Sequence, residues 1–514
     1  MGSCSTKEPE RIDSRNMKRM LIRKDSMRCI PFSRQDLISR GRLDFEKQYE
    51  IEDKIELKYQ REGFHVVRHK GSGLIRLAKF IDPKNLTSKE RDKIWAEFEL
   101  FRTLDFPLLL GLLESYDSPK SIVLVFEFSD GVDLLEHFAK KQHFNEHQVA
   151  EIIRQIFLCL AFLASKNVVH GGLNFSSITV ENDWIKFCSF QNAFDLVKNS
   201  SGVFKPESID SEPSDIFVAP EVKDSGVSFS SDVYSVGIMM YICFEGTVPF
   251  EPDFDPSLRT PKFFQNLIDK LKVSQNCKDL LNGLLCEPDK RITAKDALAH
   301  PWLKSIESGI ALKKSLIYEN FRLYQIKTPI QEAIFLFIVI NFAKEVESRT
   351  FTNLFFQLDK DKDGEISFDE LMYELSNIKN KELIEMILSS IDRAGTKRIK
   401  FTNFLAAMIS KSNLLKDEVI FNAFRLMDYN NTGRVGVDQL KTIFSGKDLS
   451  KNDWIELIKL VDSNGDGEVC LKDRFYRIQQ YVEKSHSTRV IQIKFLCSFV
   501  LSINYIPFAV LSQI

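Results

Sequence analysis

The stretch V-V-H-G-G-L-N-F-S-S-I, residues 168–178, decides how this chain is read. Two valines lead into His170, two glycines and Leu173, and Ser177 closes the polar part before Ile178. The stretch contains no carboxylate. Gly171 and Gly172 present only backbone, and a glycine can neither orient a hydroxyl nor accept its proton. Whatever this loop does, it does without an acid or base of its own beyond His170.

Around it, 514 residues exceed the roughly 250–300 at which a single core stops growing, so two or three domains are expected. A composition of 44% hydrophobic and 28% charged residues is that of an ordinary globular protein, and a net charge of -2 gives no reason to expect a nucleic-acid partner. The first thirty residues carry eight Lys or Arg against four Asp or Glu, which makes them a basic arm. Nine cysteines without a C-x-x-C pair suggest neither a disulfide framework nor a zinc site, and fit a reducing, cytoplasmic compartment. The start M-G-S-C-S-T matches the pattern for myristoylation of Gly2, with Thr6 in place. One acyl chain binds membrane only marginally, so Cys4, as a palmitoyl acceptor, and the basic residues from Arg11 to Lys24 would supply the second signal. Membrane association through this arm is the expectation, and an unlipidated basic leader is the alternative.

Residues 57–303 form the first domain. Runs at about Leu57–Arg61, Phe64–Arg68 and Leu74–Ile81, separated by turn residues such as Gly71, Ser72 and Gly73, read as strands of a small antiparallel sheet. Beyond Pro107 the apolar spacing turns helical, as in Gln148–Ala164. Five further stretches recur in a meaningful order: L-A-K-F-I with Lys79, A-E-F-E-L-F-R-T-L-D-F-P with Glu97, A-P-E at Ala219–Glu221, S-D-V-Y-S-V-G with Asp232 and Gly237, and D-K-R-I-T-A-K-D-A-L-A-H-P-W with Arg291 and the closing His300-Pro301-Trp302. This series resembles the protein kinases, and the 168–178 stretch then stands where kinases carry H-R-D-L-x-x-x-N.

The resemblance implies a bilobal α+β fold in which Lys79 pairs with Glu97, Glu221 is bound by the buried Arg291, and His170 braces the neighbouring core. It also implies losses. Gly172 stands at the catalytic Asp, Ser177 at the magnesium-binding Asn, and Ser189, in F-C-S-F-Q-N, at the D-F-G Asp, with Phe190 kept and Gln191 in place of Gly. No G-x-G-x-x-G precedes Lys79. Magnesium is a hard cation that wants carboxylate oxygens, so ATP and magnesium lack the residues that recruit them. Lys79 and Glu97 then read as a structural ion pair or as a metal-free nucleotide contact. Phe126 occupies the gatekeeper position, large enough to crowd the rear of an adenine pocket.

In residues 347–482, four twelve-residue windows recur at spacings of 33, 36 and 34. The first, D-K-D-K-D-G-E-I-S-F-D-E, sets Asp359, Asp361, Asp363, the carbonyl of Glu365 and Glu370 at the ligand positions of an EF-hand calcium loop, with Gly364 at the sharp turn. The fourth supplies Asp462, Asn464, Asp466, the Glu468 carbonyl and a shorter Asp473 at the last position. The third offers Asp428, Asn430, Thr432 and the Arg434 carbonyl, but ends in the uncharged Gln439, a weaker site. The second keeps Asp392 and Thr396 beside Lys397 and Lys400 and should bind no calcium. Position eight is Ile366, Ile399, Val435 and Val469 in turn, which predicts short β contacts between neighbouring loops and an all-α, calmodulin-like domain of two paired lobes.

Between them, residues 304–346 hold the runs L-K-K-S-L-I-Y-E-N-F-R-L-Y and A-I-F-L-F-I-V-I-N-F-A, flanking Pro329; the second is too short to span a bilayer and reads as a buried helix. A kinase fold, a junction and four EF-hands in this order resemble the calcium-dependent protein kinases of plants and protists. That likeness implies that the EF-hand module captures the junction helix when calcium rises. In the tail 483–514, the last twenty residues suit a membrane anchor in length, although Asn504 and Pro507 weaken it; a packed helix or an erroneous gene end are the other readings. The sequence favours a calcium-responsive pseudokinase, a sensor with protein partners it does not name. An atypical Ser/Thr kinase that recruits Asp183 or Asp195 is the enzyme alternative, and a constitutive scaffold the structural one.

Overall fold

The computed structural model describes residues 31–42, 44–53, 55, 57, 63–140, 145–195, 216–251, 254–306, 314–324, 329–343, 345–375, 385, 388–389, 391–409, 416–445, 447–459 and 468–470. Gly2, Cys4, Asp462, Asn464, Asp466, Asp473 and the tail lie outside them.

The small lobe is a six-stranded sheet of β1 (Ser39–Arg42), β2 (Tyr49–Ile51), β3 (Phe64–His69), β4 (Ile75–Ile81), β5 (Leu112–Asp117) and β6 (Ile122–Phe126), in the order β1-β5-β6-β4-β3-β2. Valine, isoleucine and aromatic residues dominate these runs and suit a pleated surface. On one face, Phe45, Tyr49, Val67, Ala78, Tyr116, Val123 and Val125 form a closed cluster. The sheet starts well before residue 57, since β1 pairs with β5 and β2 with β3; the strand expected at Leu57–Arg61 lies, beyond Leu57, outside the described residues. The segment 31–51, which the sequence analysis leaves outside the first domain of residues 57–303, is thus folded into the lobe. The other face meets α1 (Ser88–Thr103), whose start is fixed by a capping box between Thr87 and Glu90.

The large lobe is built on α2 (Glu146–Ser165) and α3 (Phe229–Glu245). Twelve residues of α2, from Val149 to Leu163, are buried, so this long apolar helix is the centre of the lobe's core. Glu221 and Arg291 close the lobe as an ion pair of 2.5 Å with Arg291 buried.

After the helix Lys314–Leu323, α4 (Pro329–Phe342) opens on a proline, where the missing N–H costs nothing. Its residues from Pro329 to Val339 are buried on every side, as the apolar run predicts. It packs against the EF-hand helices Phe401–Met408 and Asp417–Met427 and against residues 34–37. Glu365–Ser367 pairs with Arg398–Lys400, joining Ile366 to Ile399, and Arg434–Gly436 pairs with Glu468–Cys470, joining Val435 to Val469. These are the position-eight contacts the repeat predicts.

Candidate functional site

The 168–178 loop is held from below by Asp232. Its carboxylate accepts the backbone N–H groups of His170 at 2.8 Å and Gly171 at 2.9 Å. Burial pushes this carboxyl up to about 7, while those two N–H groups pull the other way. His170 lies between Phe187 and Phe190, with ring centroids at 5.6 and 5.3 Å. Burial holds its pKa down at about 4, so it is a neutral packing residue and not a base facing substrate.

Above the loop, the sequence reading missed one residue. Asn192 ends the F-Q-N step and lies over both glycines. A Cβ at Gly171 would stand 2.5 Å from the Asn192 carbonyl oxygen, and a Cβ at Gly172 would stand 2.7 Å from its Nδ2. Gly171 also has φ +72°, a conformation glycine adopts freely. Asn192 thus stands against both glycines, with its backbone carbonyl at Gly171 and the end of its side chain at Gly172. No signal in the sequence marks Asn192, because its contact depends on how two loops meet.

The positions of the two metal ligands are likewise spent. Ser177 is buried, and its hydroxyl accepts the Asn174 N–H at 3.1 Å and donates to the Asn174 carbonyl at 2.7 Å. Ser189 donates to Glu97 Oε1 at 3.4 Å. Neither offers the charge that magnesium needs, so the residues present do not fit that ion.

Lys79 and Glu97 meet at 3.2 Å, with their side chains 13% and 3% exposed. The other Glu97 oxygen accepts the Phe190 N–H at 2.8 Å. Glu97 thus ties β4, α1 and the Ser189–Phe190 step together. Phe126 is buried, with its ring 5.3 Å from Phe101 and 6.0 Å from Phe64. Asp183 sits in a turn with its carboxylate 3.6 Å from His137, and Asp195 pairs through its backbone with Val168.

In the first EF-hand loop, Asp359, Asp361 and Asp363 bring ligand oxygens within 4.8 Å of one another. Gly364 takes φ +79° at the turn. Glu370 reaches back over the loop, accepting the Lys360 N–H at 2.7 Å and the Asp361 N–H at 3.2 Å. Burial, and then the charges of Asp363 and Glu370, push Asp359 up to about 7 against the pull of Lys362 and the Gly364 N–H. A donor set of crowded carboxylates of this kind fits calcium, which would relieve that repulsion.

The third loop satisfies itself. The Gln439 amide donates to Asn430 Oδ1 and to the Arg434 carbonyl, each at 3.2 Å, so it brings donors, not a charged oxygen, to two of the expected ligand oxygens. Asp428 accepts Thr432 at 2.9 Å and Gly433 at 2.7 Å. In the second, Asp392 accepts the Lys397 N–H at 2.6 Å, and Arg398 reaches across to the Asp363 carboxylate. Of the fourth loop only the backbone from Glu468 to Cys470 is described.

The first loop also touches the large lobe. Ser165, at the end of α2, donates to the Asp363 carbonyl at 2.9 Å, Lys166 binds Glu365 at 3.0 Å, and Gly364 lies against the Phe162 ring. The same EF-hand lobe is anchored again by Thr402, which donates its N–H and hydroxyl to Asp105 at 3.1 and 2.7 Å.

The family model of the protein kinase domain matches residues 65–303. Calcium-dependent protein kinase 4 of Plasmodium falciparum is 27% identical over 431 residues, 79% of this chain and 81% of its own length. Calcium-dependent protein kinase 3 of Plasmodium berghei is 28% identical over 418 residues, covering 77% and 73%. Calcium-dependent protein kinase 19 of Arabidopsis thaliana is 26% identical over 428 residues, covering 80% and 76%. Alignments of this length run well past residues 65–303 into the junction and the helical repeats. The chain thus carries a protein kinase domain and is similar, over more than three quarters of its length, to calcium-dependent protein kinases.

Proposed function

We propose that this protein is a calcium-responsive pseudokinase, a sensor or scaffold in calcium signalling whose kinase-like lobe does not transfer phosphate. The observation that carries this reading is the H-G-G loop itself, which offers no carboxylate at Gly172 and has Asn192 Nδ2 2.7 Å from where a Cβ there would stand. Phosphoryl transfer depends on positioning the nucleophile and on neutralising charge, and the H-G-G loop, Ser177 and Ser189 supply neither. Calcium, held by Asp359, Asp361, Asp363, the Glu365 carbonyl and Glu370, would supply the charge that closes the first loop. Asp363 and Glu365 are also the residues that grip Ser165 and Lys166, so ion binding acts on the lobe interface directly. The partner is a protein recognised by the kinase-like lobe, and Gly2, Cys4 and the basic arm would hold the complex at a membrane surface.

The test is transfer of labelled phosphate from ATP by the purified chain, with and without calcium. No transfer above a Lys79→Ala control supports the reading, and transfer that Lys79→Ala abolishes overturns it.

A second reading, an atypical calcium-dependent Ser/Thr kinase, is favoured by the intact Lys79–Glu97 pair and by Asp195, whose strand partner Val168 lies two residues before His170. Under that reading Asp195→Asn removes the transfer.

A further inference from the structure

Residues 31–38, P-F-S-R-Q-D-L-I, follow the basic arm and precede β1. Phe32 is 2% exposed and lies between Phe444 and Trp454, with centroids 5.9 and 6.2 Å away. Phe444 and Trp454 stack on each other at 5.8 Å, and Phe337 of α4 meets Phe444 at 6.4 Å. Lys447 sits 5.4 Å from the Phe32 ring centroid, donates to the Pro31 carbonyl and lies 3.6 Å from the buried Asp36 carboxylate. Asp36 in turn accepts the Ser33 N–H and hydroxyl at 2.8 and 2.9 Å, which fixes the bend that presents Phe32. An aromatic ring and a carboxylate four residues apart are read together by one aromatic pair and one lysine.

The other side of the same segment grips the small lobe. Arg34 donates to the Phe101 carbonyl at 2.8 Å and the Leu112 carbonyl at 3.0 Å, and Arg102 returns a hydrogen bond to the Gln35 carbonyl at 3.2 Å. Phe101 lies one turn beyond Glu97 on α1, and its ring meets Phe190 at 4.9 Å.

We propose that the C-terminal EF-hand pair carries a peptide-binding site formed by Phe444, Trp454 and Lys447, whose ligand is this chain's own segment 31–38. Through Arg34 the bound segment couples that pair to α1, beside the contacts that both make with the junction helix α4. The inference stands whether or not the kinase-like lobe transfers phosphate.

The test is amide hydrogen exchange on the full chain, read over residues 98–104 of α1 and over the helix Val437–Ile443. Phe32→Ala and Lys447→Ala are each expected to speed exchange in both places about tenfold, and the double variant to add little to either. Lys447 is partly exposed, so its variant carries the test if Phe32→Ala does not fold. Acceleration confined to 437–443, or in neither place, overturns the proposal. So does the same acceleration on deleting residues 1–30, which the proposal expects to be silent.

Discussion

Asn192 Nδ2 lies 2.7 Å from the point where a Cβ on Gly172 would be built, and its carbonyl oxygen lies 2.5 Å from the corresponding point on Gly171. Real Cβ atoms do not approach other atoms so closely, so the glycine pair and Asn192 form one packing unit. The H-G-G sequence is thus more than an absence of side chains. Asn192 of a second loop stands against it.

Restoring one residue should therefore fail. Gly172→Asp is expected to destabilise the lobe by about 1–3 kcal/mol through overpacking, and to gain no phosphate transfer. The double variant Gly172→Asp with Asn192→Gly should recover most of the stability. Urea denaturation followed by tryptophan fluorescence reads both; a stable Gly172→Asp single variant would remove the packing argument.

Calcium stoichiometry separates the loops. Isothermal titration should lose its strongest step in Glu370→Gln, since the bidentate carboxylate is gone. Gln439→Glu should gain a binding event, because it replaces an amide that donates to Asn430 and Arg434 with a carboxylate. A wild-type third loop that already binds would leave Gln439→Glu without a new step.

Glu332 on α4 gives the junction a pH dependence. Burial pushes its carboxyl from 4.5 up to about 8 and Asp36 adds to this, against Arg393 at 3.5 Å, the Phe32 backbone and Lys447. A raised folded value means that the native chain holds the proton more tightly than the unfolded one. The stabilisation is complete below pH 4.5 and is lost as pH rises through about 8. Unfolding free energy should fall across this window by up to about 1.4 kcal/mol per pH unit, and Glu332→Gln should flatten the slope. Chemical denaturation at pH 5, 6.5 and 8 decides it.

The Lys79–Glu97 pair should behave as a brace. Glu97→Ala leaves the buried Phe190 N–H without its acceptor and should cost about 1–3 kcal/mol. If the pair serves structure alone, ATP raises the melting temperature of the wild-type chain neither with nor without magnesium. A magnesium-independent rise that Lys79→Ala abolishes would give the pair a nucleotide to hold.

Local pattern carried much of the architecture. Helix α2 runs Glu146–Ser165 where the apolar spacing indicated Gln148–Ala164, and α4 is buried as its unbroken apolar run requires. Both β contacts between EF-hand loops fall on the residues the twelve-residue repeat singles out. The start of the first domain was not legible in the same way. Residues 31–51 balance four Lys or Arg against four Asp or Glu, a pattern that marks no element, and their burial comes from partners such as Leu112, Tyr116 and Trp454, far along the chain.

By itself the sequence determined the kinase-like and EF-hand repeats, the missing carboxylates and the intact first calcium loop, because each is a matter of residue type at fixed spacing. Only the tertiary structure decided that Asn192 stands against Gly171 and Gly172, that the Gln439 amide meets Asn430 and the Arg434 carbonyl, and that Phe32 sits in the C-terminal EF-hand pair. Those are contacts between side chains brought together by packing, and spacing along the chain carries no record of them.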